Sequence, residues 1–476
     1  MEVIALSEYI SNISQDALST LCEELSKNTH INPEYYQRFD VKRGLRNADA
    51  TGVLAGLTRV CSVEGYYIDD GEKVPKQGRL VYRGINMTDI VENCEKEKRF
   101  GYEEVVWLLL FGSLPTREQL EWFRNLLAEC RELPDDFVED MIMKAPSPDV
   151  MNKCARSVLA LYSYDPNPDD ISPENVLRQS IQLIAQLPTI MTAAYQVKRR
   201  AYDKKSMFFH QNKKELSTAE NILRSIRPDK FFTDDEAKML DICMVIHAEH
   251  GGGNNSTFTT RCISSSGTDT YSAIAAGIGS LKGPRHGGAN IKVHKMVEDI
   301  KNNISDITDE GQVADYLTKI MHKEAGDGSG LIYGMGHAVY TLSDPRAVIL
   351  RRYAESFSKK VGCEDDFKLL HLIETLTPEL FAKYRGNKKK ICANVDLYSG
   401  LVYDMLGIPQ DLFTPLFVAA RSAGWAAHRI EEITTGGRII RPAYKNVTIP
   451  RAYVPISERI IRTEAVQKEY IPIEER

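Results

Sequence analysis

The sequence lacks long apolar runs. Its longest dense apolar stretch, VVWLLLFG at 105–112, is far too short to span a bilayer, which takes about 20 such residues. Basic residues are not in excess either, because 60 lysines and arginines stand against 66 aspartates and glutamates, a net charge of −6. A nucleic-acid surface usually needs a basic domain. The composition therefore argues against a nucleic-acid or membrane partner and still allows local basic pockets for small anions.

Cysteine is sparse and has no pattern. The nine cysteines are scattered, odd in number and never arranged as C-x-x-C. They indicate reduced thiols and not a disulfide scaffold or a zinc site. The first 25 residues are acidic and have neither a basic start nor an unbroken apolar core, so they fit no secretory or organelle leader. We expect a cytoplasmic protein.

Helical periodicity dominates what is present. Apolar residues recur at intervals of three and four in segments such as 116–133, 173–200 and 414–435. Alternating, strand-like patterns are few, and the best is GRLVYRGI at 78–85, which follows a turn-rich segment and predicts a small ribbon. A chain of 476 residues exceeds one ordinary hydrophobic core. We therefore predict a mostly α protein of two or three domains.

Four segments break this helical pattern in a similar way. They are IHAEHGGGNNST (246–257), GPRHGGAN (283–290), YGMGHAVYTLSDPR (333–346) and ANVDLYSG (393–400). Each places histidine or aspartate beside glycine, asparagine or a turn. Four of the ten histidines lie here: His247, His250, His286 and His337. One histidine alone is more often packed than catalytic, but recurrence in one kind of setting favours a site.

His286 lies where a helix is interrupted. Gly283-Pro284 stops the helix of YSAIAAGIGSL, and GANIKVHKMVEDI restarts the pattern. His286 is therefore expected near a helix N-terminus, where the helix dipole disfavours an imidazolium ion. We predict a neutral imidazole that donates a hydrogen bond.

Alternative interpretations exist for each motif. His247 and His250 are spaced i, i+3 and could form a metal pair, although the H-E-x-x-H spacing is absent and no third ligand is apparent nearby. The G-x-G matches follow no clear strand, so a dinucleotide loop is disfavoured. Asp396 alone could equally be a helix cap.

Together, the order and spacing of these motifs resemble the citrate synthase family, along most of the chain. The resemblance also includes EEVVWLLLFGSLPT and GGRIIRPAY. It implies an all-α, citrate synthase-like fold: a large helical domain in two parts, 1–285 and 401–476, with a smaller helical domain, 286–400, inserted between them. It also implies condensation of acetyl-CoA with oxaloacetate, followed by thioester hydrolysis, without a metal or redox cofactor.

The resemblance implies three catalytic residues. Asp396 would be the base that takes the methyl proton, and His286 would donate to the thioester oxygen, which fits the neutral imidazole expected from its setting. His337 would polarise or protonate the ketone of oxaloacetate.

Oxaloacetate is a dianion, and arginine can hold a carboxylate with two hydrogen bonds. By resemblance, Arg346, Arg421 and Arg441 are the carboxylate ligands, and His250 and Asn254 are further contacts. In the family the counterpart of Arg441 reaches the neighbouring subunit's site, so a homodimer is implied.

The contacts with the CoA phosphates depart from the family pattern, because Thr341 stands where many relatives have a basic residue. Lys282 and Arg285 are candidate replacements. The loop Gly334, Met335 and Gly336 is expected to give backbone contacts to CoA.

Three other functions compete with this one. The same machinery serves a 2-methylcitrate synthase that uses propionyl-CoA. A metal-dependent hydrolase built on HAEH would need bound metal, and a non-catalytic helical scaffold would give no reason for the histidines and arginines.

Overall fold

The computed structural model describes residues 13–26, 29–49, 51–385, 390–448 and 450–459. Its chain divides into two compact units, one of 1–53 with 441–476 and one of 54–440. Residues 1–12, on which the expectation of no leader partly rests, lie outside the described part. The division predicted from the sequence (1–285, 286–400, 401–476) stays a prediction.

The first unit contains little regular structure. Its described helices are α1 (Gln15–Ser26) and α2 (Glu34–Arg38), and a 3₁₀ turn follows at Arg43–Leu45. The Lys445 ammonium group lies over the ring of Phe39, 5.2 Å from its centroid. The N-terminal and C-terminal segments of this unit therefore contact each other at these residues.

The second unit is helical apart from one sheet. Three antiparallel strands form that sheet in chain order: β1 (Cys61–Asp69), β2 (Glu72–Tyr82) and β3 (Ile85–Asn86). The small ribbon predicted around 78–85 is confirmed. The helices are α3 (Met87–Lys96), α4 (Tyr102–Phe111), α5 (Arg117–Glu129), α6 (Val150–Leu161), α7 (Pro173–Ala201), α8 (Thr218–Ile226), α9 (Asp234–His247), α10 (Asn255–Ser264), α11 (Thr270–Lys282), α12 (Ala289–Asn303), α13 (Glu310–Met321), α14 (Pro345–Val361), α15 (Glu364–Arg385), α16 (Val395–Met405) and α17 (Phe413–Thr434).

Local sequence signals explain several helix ends. The Thr116 hydroxyl accepts from the backbone N–H of Gln119, and the Gln119 side chain accepts from the backbone N–H of Thr116, so α5 begins with a capping box. Ser172 caps α7, and Pro173 occupies its first position, where a missing N–H costs nothing. The all-α class is confirmed.

Helix α17 is the centre of the unit. Every residue from 413 to 429 is buried, and the helix packs against α4, α7, α9, α10 and α11. A helix that is apolar on nearly all sides needs such complete coverage. The polar residues in α17, among them Arg421 and His428, are therefore held in a dry interior.

Helices α12 to α16 pack largely on one another. Helix α16 contacts α12, α14 and α15, and α13 packs along α15. None of the helices in the described ranges is long and apolar enough to cross a bilayer.

Candidate active site

The predicted site residues in the second unit lie at helix ends around α17. His250 and Asn254 occupy the loop between α9 and α10, and His286 lies between α11 and α12. His337 precedes α14, which carries Arg346 in its first turn. Asp396 is the second residue of α16. Helix ends supply free backbone N–H groups and open loops, which is why the sequence breaks its periodicity at these points.

The ring of His286 is oriented by Ser256. The backbone N–H of Ser256 donates to Nε2 of His286 at 3.3 Å, and Ser256 Oγ lies 3.0 Å from the same nitrogen. An N–H group can only donate, so Nε2 carries a lone pair and the ring proton sits on Nδ1. Ser256 is itself held, because Trp425 Nε1 donates to its Oγ at 3.2 Å, and Asn254 Oδ1 lies 2.9 Å from the same oxygen, whose single proton is shared between Asn254 and His286 Nε2.

Burial and the nearby charge of Arg421 lower the pKa of His286 to about 4. The imidazole is therefore neutral near pH 7 and presents Nδ1–H as a donor. The neutral ring agrees with the sequence prediction, although burial is its main cause, where the sequence pointed to the helix dipole.

His337 has the opposite tautomer. The backbone N–H groups of Val339 and Tyr340 each donate to its Nδ1 at 3.1 Å. Since Nδ1 must accept both, the ring proton lies on Nε2. The ring stacks on Tyr340 with 4.6 Å between centroids and meets the edge of His250 at 5.2 Å. His337 is thus fixed as an Nε2–H donor.

The loop that carries His337 is joined to the segment that carries Asp396. Gly336 N donates to Cys392 O at 2.8 Å, and Asn394 N donates to Gly334 O at 2.9 Å. Asn394 Nδ2 adds a bond to Gly336 O at 2.9 Å. Gly334 has a φ of +82°, and a Cβ there would lie 2.9 Å from the Cα of Leu397. Only glycine lets the loop approach α16 this closely.

Asp396 begins α16 behind the Asn394 cap, whose side chain accepts its backbone N–H at 3.0 Å. Desolvation raises the pKa of its carboxyl group to about 6, Arg346 opposes the rise and Asp344 adds to it. The carboxylate is thus a stronger base than an exposed aspartate and is still mostly ionised at pH 7. The helix-cap alternative fails for its side chain, since Asn394 is the cap.

Arg421 is completely buried within α17, and its guanidinium group is only partly engaged. Its Nε donates to His247 O at 2.7 Å, and its guanidinium carbon lies 4.8 Å from the ring centroid of Phe417. Nη1 and Nη2 are buried and have no hydrogen-bond partner within the part of the chain that the structure describes. Two parallel unpartnered donors on a buried cation fit a carboxylate.

Arg346 is buried and forms an ion pair with the carboxylate of Asp344. Its Nε and Nη2 donate to the two oxygens of Asp344 at 3.0 and 2.7 Å. Of its guanidinium nitrogens, Nη1 alone is left outside this fork, and the role of Arg346 as a carboxylate ligand stays a prediction. Burial raises the pKa of Asp344, but the charge of Arg346, its hydrogen bonds and the charge of His337 together bring the pKa below its usual value.

His250 lies close enough to several charged groups of the site for their charges to affect its ring. Burial lowers its pKa well below the usual value, and the charges of Arg346, His337, Arg421 and His286 lower it further. Its Nε2 is buried and has no hydrogen-bond partner among the described residues. Predicted residues from the 333–346 segment, the His286 loop and α17 thus act on one ring.

The three titratable residues of HAEH point to different partners. His247 Nδ1 donates to Cys243 O at 2.7 Å, Glu249 accepts from His428, and His250 faces His337. Within the described residues no group of three or more His, Cys, Asp or Glu side chains could hold a metal ion. These contacts do not support the metal-pair alternative.

Sequence reasoning missed Asp344, Glu249 and His428. Glu249 and His428 are fully buried, and Glu249 Oε1 lies 3.0 Å from His428 Nε2. Arg421, Gly424 and His428 lie at positions i, i+3 and i+7 of α17 and therefore share one helix face. This spacing was the signal available in the sequence.

The remaining predicted residues are peripheral or in the other unit. Lys282 and Arg285 are exposed on either side of the α11 terminus, and Lys282 Nζ lies 3.1 Å from Asp149 Oδ2. Asn254 is half-buried and caps no backbone group with its side chain. Arg441 belongs to the first unit.

The site as a whole suits an anionic carbonyl substrate. It combines buried guanidinium groups, two histidines held as donors by main-chain amides, and a carboxylate of raised pKa. Such a set can abstract a proton next to a carbonyl group while stabilising the developing oxyanion.

The comparisons with known proteins agree with this chemistry. The family model described as citrate synthase, C-terminal domain, matches residues 49–443. A citrate synthase of Synechocystis sp. is 34% identical over 417 residues, 86% of this chain and 93% of its own. A 2-methylcitrate synthase 1 of Corynebacterium glutamicum is 33% identical over 430 residues, 88% of this chain and 98% of its own.

A solved structure gives the same result. The citrate synthase of Thermoplasma acidophilum, in a ternary complex with carboxymethyl coenzyme A and oxaloacetate, matches with a TM-score of 0.70 at 25% identity. The match covers 88% of this chain and 99% of that one. This chain belongs to the citrate synthase family. It is an acyltransferase of the type that converts the acyl group into an alkyl group on transfer.

Proposed function

We propose that the protein condenses acetyl-CoA with oxaloacetate and hydrolyses the resulting thioester to citrate and CoA. The observation that carries the proposal is the pair of opposite tautomers, Nδ1–H on His286 and Nε2–H on His337, each fixed by backbone N–H groups. Condensation needs two such donors, one for the oxygen of each carbonyl that gains charge.

In the first step Asp396 takes a proton from the methyl carbon of acetyl-CoA. His286 Nδ1–H donates to the thioester oxygen as it becomes an enolate. The methyl carbon then attacks the ketone of oxaloacetate, and His337 Nε2–H supplies the proton or hydrogen bond that the new alkoxide needs. Water finally cleaves the thioester of citryl-CoA. The reaction needs no metal or redox cofactor.

The carboxylates of oxaloacetate bind to arginines. The two unpartnered nitrogens of Arg421 support one such contact, and Nη1 of Arg346 a second. His250 and Asn254 complete the substrate contacts. The partner subunit's Arg441 would add a third cation, so the working form is a homodimer.

The acyl-CoA lies beside the His286 and His337 loops. Lys282 and Arg285 are exposed near His286 and would contact the CoA phosphates, while Gly334, Met335 and Gly336 offer backbone groups. The mutual packing of α12 to α16 supports 286–400 as a small domain between 1–285 and 401–476. We place the enzyme in the cytoplasm, without membrane or nucleic-acid partners.

A free-thiol release assay with oxaloacetate and each acyl-CoA tests the function. Relatives of both kinds match the chain, and acetyl and propionyl differ by one methylene, a difference worth roughly 10–200-fold in a hydrophobic pocket. We expect a higher kcat/KM with acetyl-CoA, since citrate synthase is the commoner activity of the family. A higher value with propionyl-CoA would make the protein a 2-methylcitrate synthase. No thiol release with either would refute the proposal.

A further inference from the structure

The segment that follows α9 is attached to α17 at two points. Arg421 Nε donates to His247 O, and two residues later the side chain of Glu249 lies against Gly424, one helical turn beyond Arg421. A Cβ at Gly424 would collide with Glu249 Oε2 and would lie 2.5 Å from Ala248 O. Glycine at this point of α17 leaves room for a buried carboxylate next to a buried guanidinium group.

One oxygen of Glu249 is fully engaged. Oε1 accepts from Gly251 N at 2.6 Å and lies 3.0 Å from His428 Nε2. Arg261 Nη1 lies 2.9 Å from His428 Nδ1, and a guanidinium group can only donate. The proton of His428 is therefore on Nε2 and is donated to Glu249. The other oxygen, Oε2, is buried, and no described residue forms a hydrogen bond with it.

Glu249 and Arg421 act on each other without touching. No ion pair joins the two side chains, yet the charge of Arg421 helps to lower the pKa of Glu249, and Glu249 is the strongest charge opposing the desolvation of Arg421. A carboxylate in direct contact with the guanidinium group of Arg421 would occupy its Nη1 and Nη2 nitrogens. At its actual position Glu249 offsets the buried cation and leaves both nitrogens open.

We propose that Glu249 is a positioning residue that sets the affinity for the dianionic substrate by partly neutralising Arg421. The inference rests on the proposed function, in which Arg421 holds a carboxylate of oxaloacetate. In the free enzyme Glu249 compensates a desolvated guanidinium group. In the complex the same charge opposes the substrate carboxylate, so it limits how tightly oxaloacetate and the still more anionic citrate are held.

Glu249→Gln tests this with little change of shape. Its amide oxygen can still accept from Gly251 N and His428 Nε2, so only the charge is lost. A unit charge on the order of 10 Å away, at an effective dielectric constant near 20, changes a binding constant by roughly tenfold. We expect calorimetric titration to show oxaloacetate binding about tenfold more tightly than in the parent. The KM for oxaloacetate and the inhibition constant for citrate should fall, with the KM for acetyl-CoA unchanged.

Two variants serve as controls. Glu249→Asp keeps the charge and should stay near the parent affinity. Asp411→Asn removes a carboxylate ten residues before Arg421, about 15 Å away along the helix direction, whose Oδ2 accepts from Lys198 Nζ at 2.7 Å outside the contacts of Glu249. If Asp411→Asn tightened binding as much as Glu249→Gln, net charge would explain the effect and the proposal would be wrong. Unchanged or weaker binding by Glu249→Gln would also overturn it.

Two further measurements keep the outcomes separate. The free Glu249→Gln protein should unfold at a lower temperature than the parent, and oxaloacetate should raise that temperature by more than it does in the parent. A variant that stays unfolded at saturating oxaloacetate would contradict the proposal. Failure of the parent to bind oxaloacetate would refute the proposed function itself. If Arg421→Gln abolished oxaloacetate binding and Glu249→Gln did not tighten it, only this inference would be wrong.

Discussion

Replacing Asp396 with asparagine removes the proposed base and keeps a side chain of the same shape at the second position of α16. General-base catalysis contributes typically 10²–10⁴-fold in rate. We therefore expect Asp396→Asn to lose at least about 100-fold in kcat. Its affinity for oxaloacetate should stay within a few fold of the parent, because the base acts on the acyl-CoA methyl group.

The raised pKa of Asp396 adds a pH dependence with a definite sign. Burial raises the pKa of this carboxyl group to about 6, and only its ionised form can accept the proton. At pH 7 about nine-tenths of the groups are ionised, and at pH 5 about one-tenth. The kcat/KM for acetyl-CoA should therefore fall roughly ninefold between pH 7 and pH 5, with its midpoint near pH 6.

Thiol release at saturating oxaloacetate measures both kcat and the kcat/KM for acetyl-CoA. Asp404→Asn is a matched control, because Asp404 lies near the other end of α16 and pairs with His294, 3.1 Å away. This control should keep near-parent turnover. Turnover by Asp396→Asn within tenfold of the parent, or a profile that is flat from pH 5 to pH 7, would remove Asp396 from the role of base.

Three more expectations follow from the site. His286→Ala should lower kcat by about 10²–10³ through loss of the enolate donor, and near-parent turnover would contradict the tautomer argument. Gly334→Ala should lower the melting temperature more than Gly336→Ala, because both residues have positive φ but only the first would meet the Cα of Leu397, at 2.9 Å; equal losses in calorimetry would refute this. We also expect oxaloacetate to bind before acyl-CoA, so oxaloacetate alone should compact the protein in X-ray scattering; compaction by acyl-CoA alone would contradict this order.

The sequence predicted well whatever local patterns determine. Periodicity predicted the helical class and the ribbon at 78–85, and breaks in periodicity pointed to the four segments in which most of the proposed site residues lie. These signals lie within a few residues of one another, where helix geometry and capping apply directly.

Contacts between distant segments could not be predicted in this way. Glu249 pairs with His428, 179 residues later. A carboxylate within HAEH gives no sign of its partner until the fold sets α17 beside it. The same holds for Ser256, whose role follows from lying within reach of both His286 and Trp425.

The glycine-rich breaks around His286 and His337, the two histidines proposed as catalytic, can be explained physically. A histidine that must donate from one nitrogen near neutral pH needs the other nitrogen fixed as an acceptor. Main-chain N–H groups do this best, because they cannot reverse direction as a hydroxyl or amide side chain can. Inside a helix those N–H groups are already bonded, so they become available only at helix ends and turns. Ser256 N, in the first turn of α10, serves His286, and Val339 N and Tyr340 N, in the loop before α14, serve His337. By leaving these N–H groups free, the interrupted helices make one nitrogen of each ring an acceptor. The ring proton is thereby fixed on the other nitrogen, which is the proposed donor to the substrate.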